Sequence, residues 1–132
     1  MIFLCINKQA MENEKLIILL VEDSRIIKER LICMLKELKN VQQVLDAGTY
    51  DEAFRLLQQE VADVIVLDIG LPGKSGIDIL KTINEYKWEL TVIILTNQAD
   101  NYYESLCFSL GAGHFLDKTR DFDKIPGIVA SL

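Results

Sequence analysis

Two rhythms of apolar residues alternate along the chain. Leu16-Ile17-Ile18-Leu19-Leu20-Val21 is an unbroken apolar run that stops at Glu22-Asp23. Val64-Ile65-Val66-Leu67 stops at Asp68, and Thr91-Val92-Ile93-Ile94-Leu95 stops at Thr96. Short continuous runs of this kind suit strands buried on both faces, as in a parallel sheet covered by helices. Weaker strand signals lie at Val41 to Asp46 and at His114 to Asp117.

Between the runs the period becomes helical. Ser24 can cap a helix that carries Ile27, Leu31, Met34, Leu35 and Leu38 along one face. Thr49-Tyr50-Asp51-Glu52 has the form of a capping box and precedes Ala53, Leu56 and Leu57. Ser75 can cap a third helix with Ile79, Leu80 and Ile83 inward. A fourth is expected from about Ala99 to Leu110, with Tyr103, Leu106, Cys107 and Leu110 at core spacing and Gly111 as its stop. The last helix is expected to be short, with Asp123 as N-cap, Pro126 tolerated in the first turn, and its end at Leu132.

Five strands alternating with five helices make a (βα)5 chain. Short connections and right-handed crossovers favour a doubly wound parallel sheet. The flavodoxin-like strand order 2-1-3-4-5 makes the first and third strands neighbours and puts the switch point between their carboxyl ends. No internal repeat, low-complexity tract or interdomain linker interrupts the pattern.

Composition narrows the function. The 132 residues hold 14 basic and 20 acidic side chains, a net charge of −6, and half of them are hydrophobic. One domain with its own core fits that length. The acidic balance argues against a nucleic-acid backbone and against an anionic membrane surface as partners. Cys5, Cys33 and Cys107 are odd in number and widely spaced, which speaks against a disulfide framework or a structural zinc site; they are expected to be small buried or half-buried hydrophobes. No segment is long enough to span a membrane, and Met1 to Ile6 lacks the parts of a signal peptide. The expectation is a cytoplasmic protein with residues 1–14 as an N-terminal extension and residues 15–132 as the domain.

The chemistry gathers at the strand ends. Glu22, Asp23 and Asp68 would share one crevice and repel one another unless a hard cation joined them. Oxygen-only donors suit Mg²⁺ or Mn²⁺ rather than zinc. The fourth strand adds the hydroxyl of Thr96, and the fifth leads to the ammonium of Lys118. Acids, a metal, a hydroxyl and a cation on one rim fit phosphoryl transfer at a carboxylate, where positioning and charge neutralisation supply most of the catalysis.

With these residues in place the sequence resembles a response-regulator receiver domain of two-component signalling. The resemblance is carried by Ile18 to Ser24, by Val66 to Gly76 with Pro72 and Gly76 at the family's spacing, by Ile94-Leu95-Thr96, and by Gly111 to Lys118. It covers about residues 15–132. It implies that Asp68 is the phospho-acceptor, taking a phosphoryl group from a phosphohistidine of a sensor histidine kinase or histidine phosphotransfer protein. It implies that Asp23 binds Mg²⁺ directly, that Glu22 contributes through water, and that Asp68 and the Gly70 carbonyl complete the protein ligands. Lys118 would pair with Asp68 and then with a phosphoryl oxygen. Thr96 would swing in to bond the phosphoryl group, with Phe115 as the aromatic switch that follows it.

Some positions depart from the family pattern. Glu22-Asp23 stands for the commoner Asp-Asp pair. Thr119 follows Lys118 where the family has Pro, which puts a cis peptide there in doubt. Asn97 could narrow access to the phosphoryl group, while Gly70 and Gln98 occupy positions that tune acyl-phosphate lifetime. Tyr102 and Phe108 fall off the core stripe of the fourth helix and would enrich the surface of the fourth helix, fifth strand and fifth helix, which in this family docks partners or forms homodimers. His114 is expected to be an ordinary edge-strand residue. A downstream protein or an output domain would read the switch, and no nucleic acid is expected to bind this chain. A phosphorylation-independent adaptor with the same fold is the alternative. An aspartyl-phosphate hydrolase is disfavoured, because that class expects a second Asp where Gly70 stands.

Overall fold

The computed structural model describes residues 15–59, 62–71, 73–97 and 99–132. Strands β1 (Leu16–Val21), β2 (Val41–Ala47), β3 (Val64–Leu67), β4 (Thr91–Thr96) and β5 (His114–Asp117) alternate with helices α1 (Arg25–Lys36), α2 (Tyr50–Gln59), α3 (Gly76–Tyr86) and α4 (Asn101–Ser109). A 3-10 turn, Phe122–Lys124, leads into α5 (Ile125–Ala130). The strands pair in parallel in the order β2-β1-β3-β4-β5, the doubly wound order expected. The N-terminal extension, Cys5, Pro72 and Gln98 lie outside the described residues.

The three unbroken apolar runs are the three inner strands, and their alternation divides the side chains between two cores. Leu19, Val21, Ile65, Leu67, Val92 and Ile94 pack with Ala53, Leu57, Ile79, Leu80, Ile83 and Cys107 from α2, α3 and α4. Ile18, Leu20, Val64, Val66, Ile93 and Leu95 pack with Leu31 and Leu35 of α1 and with Ile125 and Val129 of α5. The two weak signals are the edge strands. On β2, Gln42, Gln43 and Asp46 are exposed, so its run is broken by polar residues. On β5, His114 is half-buried at the sheet edge, as expected.

Local chemistry sets the helix starts. The Ser24 hydroxyl accepts the Ile27 N–H at 3.4 Å. At α2 the Thr49 hydroxyl accepts the Glu52 N–H at 3.2 Å, and the Glu52 carboxylate reaches one residue further back, to the Gly48 N–H at 3.0 Å. At α3 the Ser75 N–H donates to Asp78 Oδ2 at 2.8 Å. Helix α4 starts at Asn101 rather than near Ala99, because Asp100 caps it through the Tyr103 N–H at 3.0 Å. Its stop at Gly111 holds, with φ of 100°.

Two expectations need correction. Asp123 does not cap the last helix: it lies inside the 3-10 turn, and α5 begins at Ile125 with Pro126 in its first turn, where no N–H is needed, and ends at Ala130. Cys33 is exposed on α1, whereas Cys107 is buried. No helix among the described residues is long and apolar enough to cross a membrane.

Candidate functional site

The ladders of the sheet continue one residue past the strand ends and carry the acidic residues with them. Glu22 N–H donates to Ala47 O at 3.1 Å, and Asp68 N–H donates to Val21 O at 3.0 Å. These bonds set Glu22 and Asp68 side by side at the crossing from β1 to β3. On the other side, Lys118 N–H donates to Thr96 O at 3.0 Å, which ties the end of β5 to the end of β4. The result is a cleft of about 330 Å³ lined by Glu22, Asp23, Asp68, Gly70, Thr96 and Lys118, with Ser24 and Asn97 at its margin. Every candidate ligand and reacting residue lines this one cleft. Phe115 is the exception: it lies on β5, half-buried against the core formed with α2, α3 and α4.

Asp68 is only 6% exposed, and both of its carboxylate oxygens have partners. Oδ1 accepts the Gly70 N–H at 2.9 Å, and Oδ2 accepts from Lys118 Nζ at 2.9 Å. Lys118 also pairs with Glu22, with Nζ 2.7 Å from Oε2 and 3.0 Å from Oε1. The contact with Asp68 is the expected one, whereas the contact with Glu22, a residue expected among the cation donors, has no signal in the sequence. Ninety-six positions separate the two residues, and only the sheet order brings them together. Glu22 is further held by the Ser24 N–H on Oε1 at 3.0 Å.

Burial gives these contacts their strength. The Lys118 side chain is 9% exposed and that of Glu22 3%. Burial alone would discharge Lys118, but its hydrogen bonds to Glu22 and Asp68 outweigh that and hold the ammonium above its usual range. Burial pushes the Glu22 carboxyl up, and the Lys118 and Ser24 bonds only partly offset it. Both directions describe one buried cation shared between two buried carboxylates.

Carboxylate oxygens of Glu22, Asp23 and Asp68 lie within 4.8 Å of one another, with Asp23 exposed to solvent. Three carboxylates against one ammonium leave two negative charges in the cleft. Oxygen donors and that residual charge fit a hard divalent cation. The Lys118–Thr119 peptide is trans, for no cis peptide occurs among the described residues.

A doubly wound sheet with an acidic, cation-fitting cleft and a lysine at its switch point defines a class of small α/β domains built for phosphoryl chemistry at a carboxylate. The chain belongs to the response regulator receiver domain family, whose model it matches over residues 18–130. It is 25% identical over 112 residues to the fimbriae Z protein of Salmonella typhimurium, covering 85% of this chain and 53% of that protein. It is 32% identical over 108 residues to a protein-glutamate methylesterase/protein-glutamine glutaminase of Clostridium acetobutylicum, covering 80% of this chain and 31% of the relative. The chain thus spans about half the length of the first of these curated relatives and about a third of the second. A two-component response regulator of the LuxR family from Aurantimonas superposes with a TM-score of 0.76 at 25% identity, covering 89% of this chain and 86% of that one.

Proposed function

We propose that this receiver domain accepts a phosphoryl group on Asp68 from a phosphohistidine and uses the added charge to switch a protein-binding surface. The observation that supports it most is the Lys118 ammonium 2.9 Å from the buried Asp68 carboxylate, in a cleft whose donors fit a divalent cation.

In this reading an Asp68 oxygen attacks phosphorus. An O–P bond forms, the N–P bond of the phosphohistidine breaks, and its electron pair stays on the imidazole nitrogen. Lys118 orients the Asp68 carboxylate beforehand and then pairs with a phosphoryl oxygen. The Gly70 N–H fixes the rotation of the carboxylate about its own axis. The Thr96 hydroxyl, at the cleft wall, donates to another phosphoryl oxygen, and Phe115 follows Thr96 inward. Glu22, Asp23, Asp68 and the Gly70 carbonyl are the residues that would hold Mg²⁺ or Mn²⁺. Such an ion would supply positive charge for the phosphoryl oxygens.

The donor is a sensor histidine kinase or a histidine phosphotransfer protein, and the reader is a downstream protein or output domain. The surface of α4, β5 and α5 is the reading face, where Tyr102 is 71% and Phe108 46% exposed. Incubation with Mg²⁺ and acetyl phosphate is expected to add one phosphoryl group by intact mass, and none in Asp68→Asn. A phosphoryl group that still appears on Asp68→Asn, or an inert wild-type protein, would overturn the reading.

A further inference from the structure

Asp121 is the buried acid that the chemistry above leaves unused. Its side chain is 4% exposed, yet it lies four residues beyond the strand that delivers Lys118. By position it is the N-cap of the 3-10 turn, and an aspartate there normally accepts an N–H of its own helix. It does not: no cap bond forms from its side chain. The carboxylate turns back instead. Oδ2 accepts the Asp117 N–H at 3.0 Å, while Asp121 N–H donates to the Asp117 carbonyl at 2.8 Å. The two residues therefore grip each other by two bonds and close a five-residue loop with Lys118 inside it.

The rest of that loop is tied as well. Asp117 Oδ1 accepts the N–H of Thr119 at 2.7 Å and of Arg120 at 3.0 Å. Arg120 and Lys124, both on the solvent side, hold Asp121 by contacts of 3.2 Å and 3.0 Å. Threonine does not fix its own φ as proline does, so Thr119 gives the Lys118 backbone no intrinsic stiffness. The hydrogen-bonded ring around Lys118 does.

We infer that Asp121 is a positioning residue for phosphoryl transfer: through the Asp117 N–H it fixes the backbone from which Lys118 reaches Asp68. This rests on the phospho-acceptor reading above. Asp121 touches none of Glu22, Asp23 and Asp68 in the described contacts, so losing it should misplace Lys118 without removing a cation donor.

The test compares two quantities in the full chain: the rate of phosphorylation by acetyl phosphate at saturating Mg²⁺, and the affinity for Mg²⁺ alone by calorimetric titration. Asp121→Ala is expected to slow phosphorylation on the order of tenfold or more, since small misplacements of a catalytic group cost that much, with Mg²⁺ affinity not weakened, because a displaced ammonium leaves Glu22 and Asp68 freer for the ion. Asp121→Asn keeps an acceptor for the Asp117 N–H and is expected to stay within about twofold of wild type. Arg120→Ala with Lys124→Ala, which removes only the outer charges, should do the same. A folded Asp121→Ala with the wild-type rate, or one that loses rate and Mg²⁺ affinity together, would overturn the inference. Should the alanine variant fail to fold, Asp121→Asn decides: loss of its rate at unchanged Mg²⁺ affinity would reject the route through Asp117. A wild-type protein inert to acetyl phosphate would sink the phospho-acceptor reading itself, and this inference with it. An active wild type beside an equally active alanine variant sinks the inference alone.

Discussion

Single residues around Asp68 show how little freedom the site has. Gly76 opens α3, and a β-carbon built on it would collide with the Asp68 carbonyl oxygen and lie 2.7 Å from the Ile69 Cα. The obstacles are backbone atoms of the segment that carries Asp68, so they cannot rotate away. Gly76→Ala is therefore expected to cost about 1–3 kcal/mol of stability, read as a lower urea midpoint at unchanged slope. It should also slow phosphorylation, because the helix can only be accommodated by moving Asp68. A wild-type midpoint in the variant would show that the contact is looser than the geometry says. Gly70 differs: its added β-carbon would meet only Asp68 Oδ1, at 3.5 Å, an ordinary contact.

Glu22 illustrates what a residue's type alone does not disclose. An acid beside Asp23 at a strand end reads as a cation donor, and its place in the cleft agrees with that. Its partnership with Lys118 depends on β1 and β5 being brought within reach by the two strands between them. The local pattern holds no trace of a pairing that distant. Asp121 was illegible for a different reason. An Asp ahead of a short helix carries the signature of a cap, and only the direction of its side chain separates a cap from a brace.

At the scale of elements, the strong signals were those that a strand or cap makes by itself. Continuous apolar runs marked β1, β3 and β4 because both faces of those strands are buried. β2 and β5 were fainter because an edge strand needs apolar residues on fewer positions. The C-terminal helix starts one residue later than Asp123 as its N-cap implies, since the 3-10 bond from Lys124 N–H to Asp121 O at 2.9 Å competes with the α-helical start that Asp123 suggests.

The Asp117–Asp121 turn also carries a pH signature. Arg120, then the Asp117 N–H, then Lys124 hold the Asp121 carboxyl far below its ordinary value of 3.8. A carboxylate with a lowered folded pKa contributes stability that is complete above the unfolded pKa and fades as pH falls toward the folded one. Wild type should therefore lose stability from about pH 5 to pH 3 more steeply than Asp121→Asn, as read from urea midpoints. Parallel slopes would show that Asp121 gains nothing from its partners.

At the scale of the molecule, the sheet separates two tasks. The carboxyl ends of β1, β3, β4 and β5 hold the cleft, while α4 offers a partly apolar exposed surface through Tyr102 and Phe108. Thr96 ends β4, and Phe115 lies two residues back from the matching end of the neighbouring β5, with Ile94 paired to Phe115 and Thr96 to Asp117. Beryllofluoride with Mg²⁺ is expected to raise the mass seen by concentration-dependent light scattering, as copies associate through α4, β5 and α5. A monomer mass with and without the analogue would leave this face to heterologous partners.

All of this depends on where the phosphoryl group goes. An acyl phosphate can be reduced by borohydride, which leaves homoserine in place of the phosphorylated aspartate. After treatment with Mg²⁺ and acetyl phosphate followed by borohydride, peptide mass mapping is predicted to find homoserine at position 68 and unmodified aspartate at position 23. Homoserine at any other position, or at none while the intact protein gains no mass, would contradict the assignment of Asp68 as the acceptor.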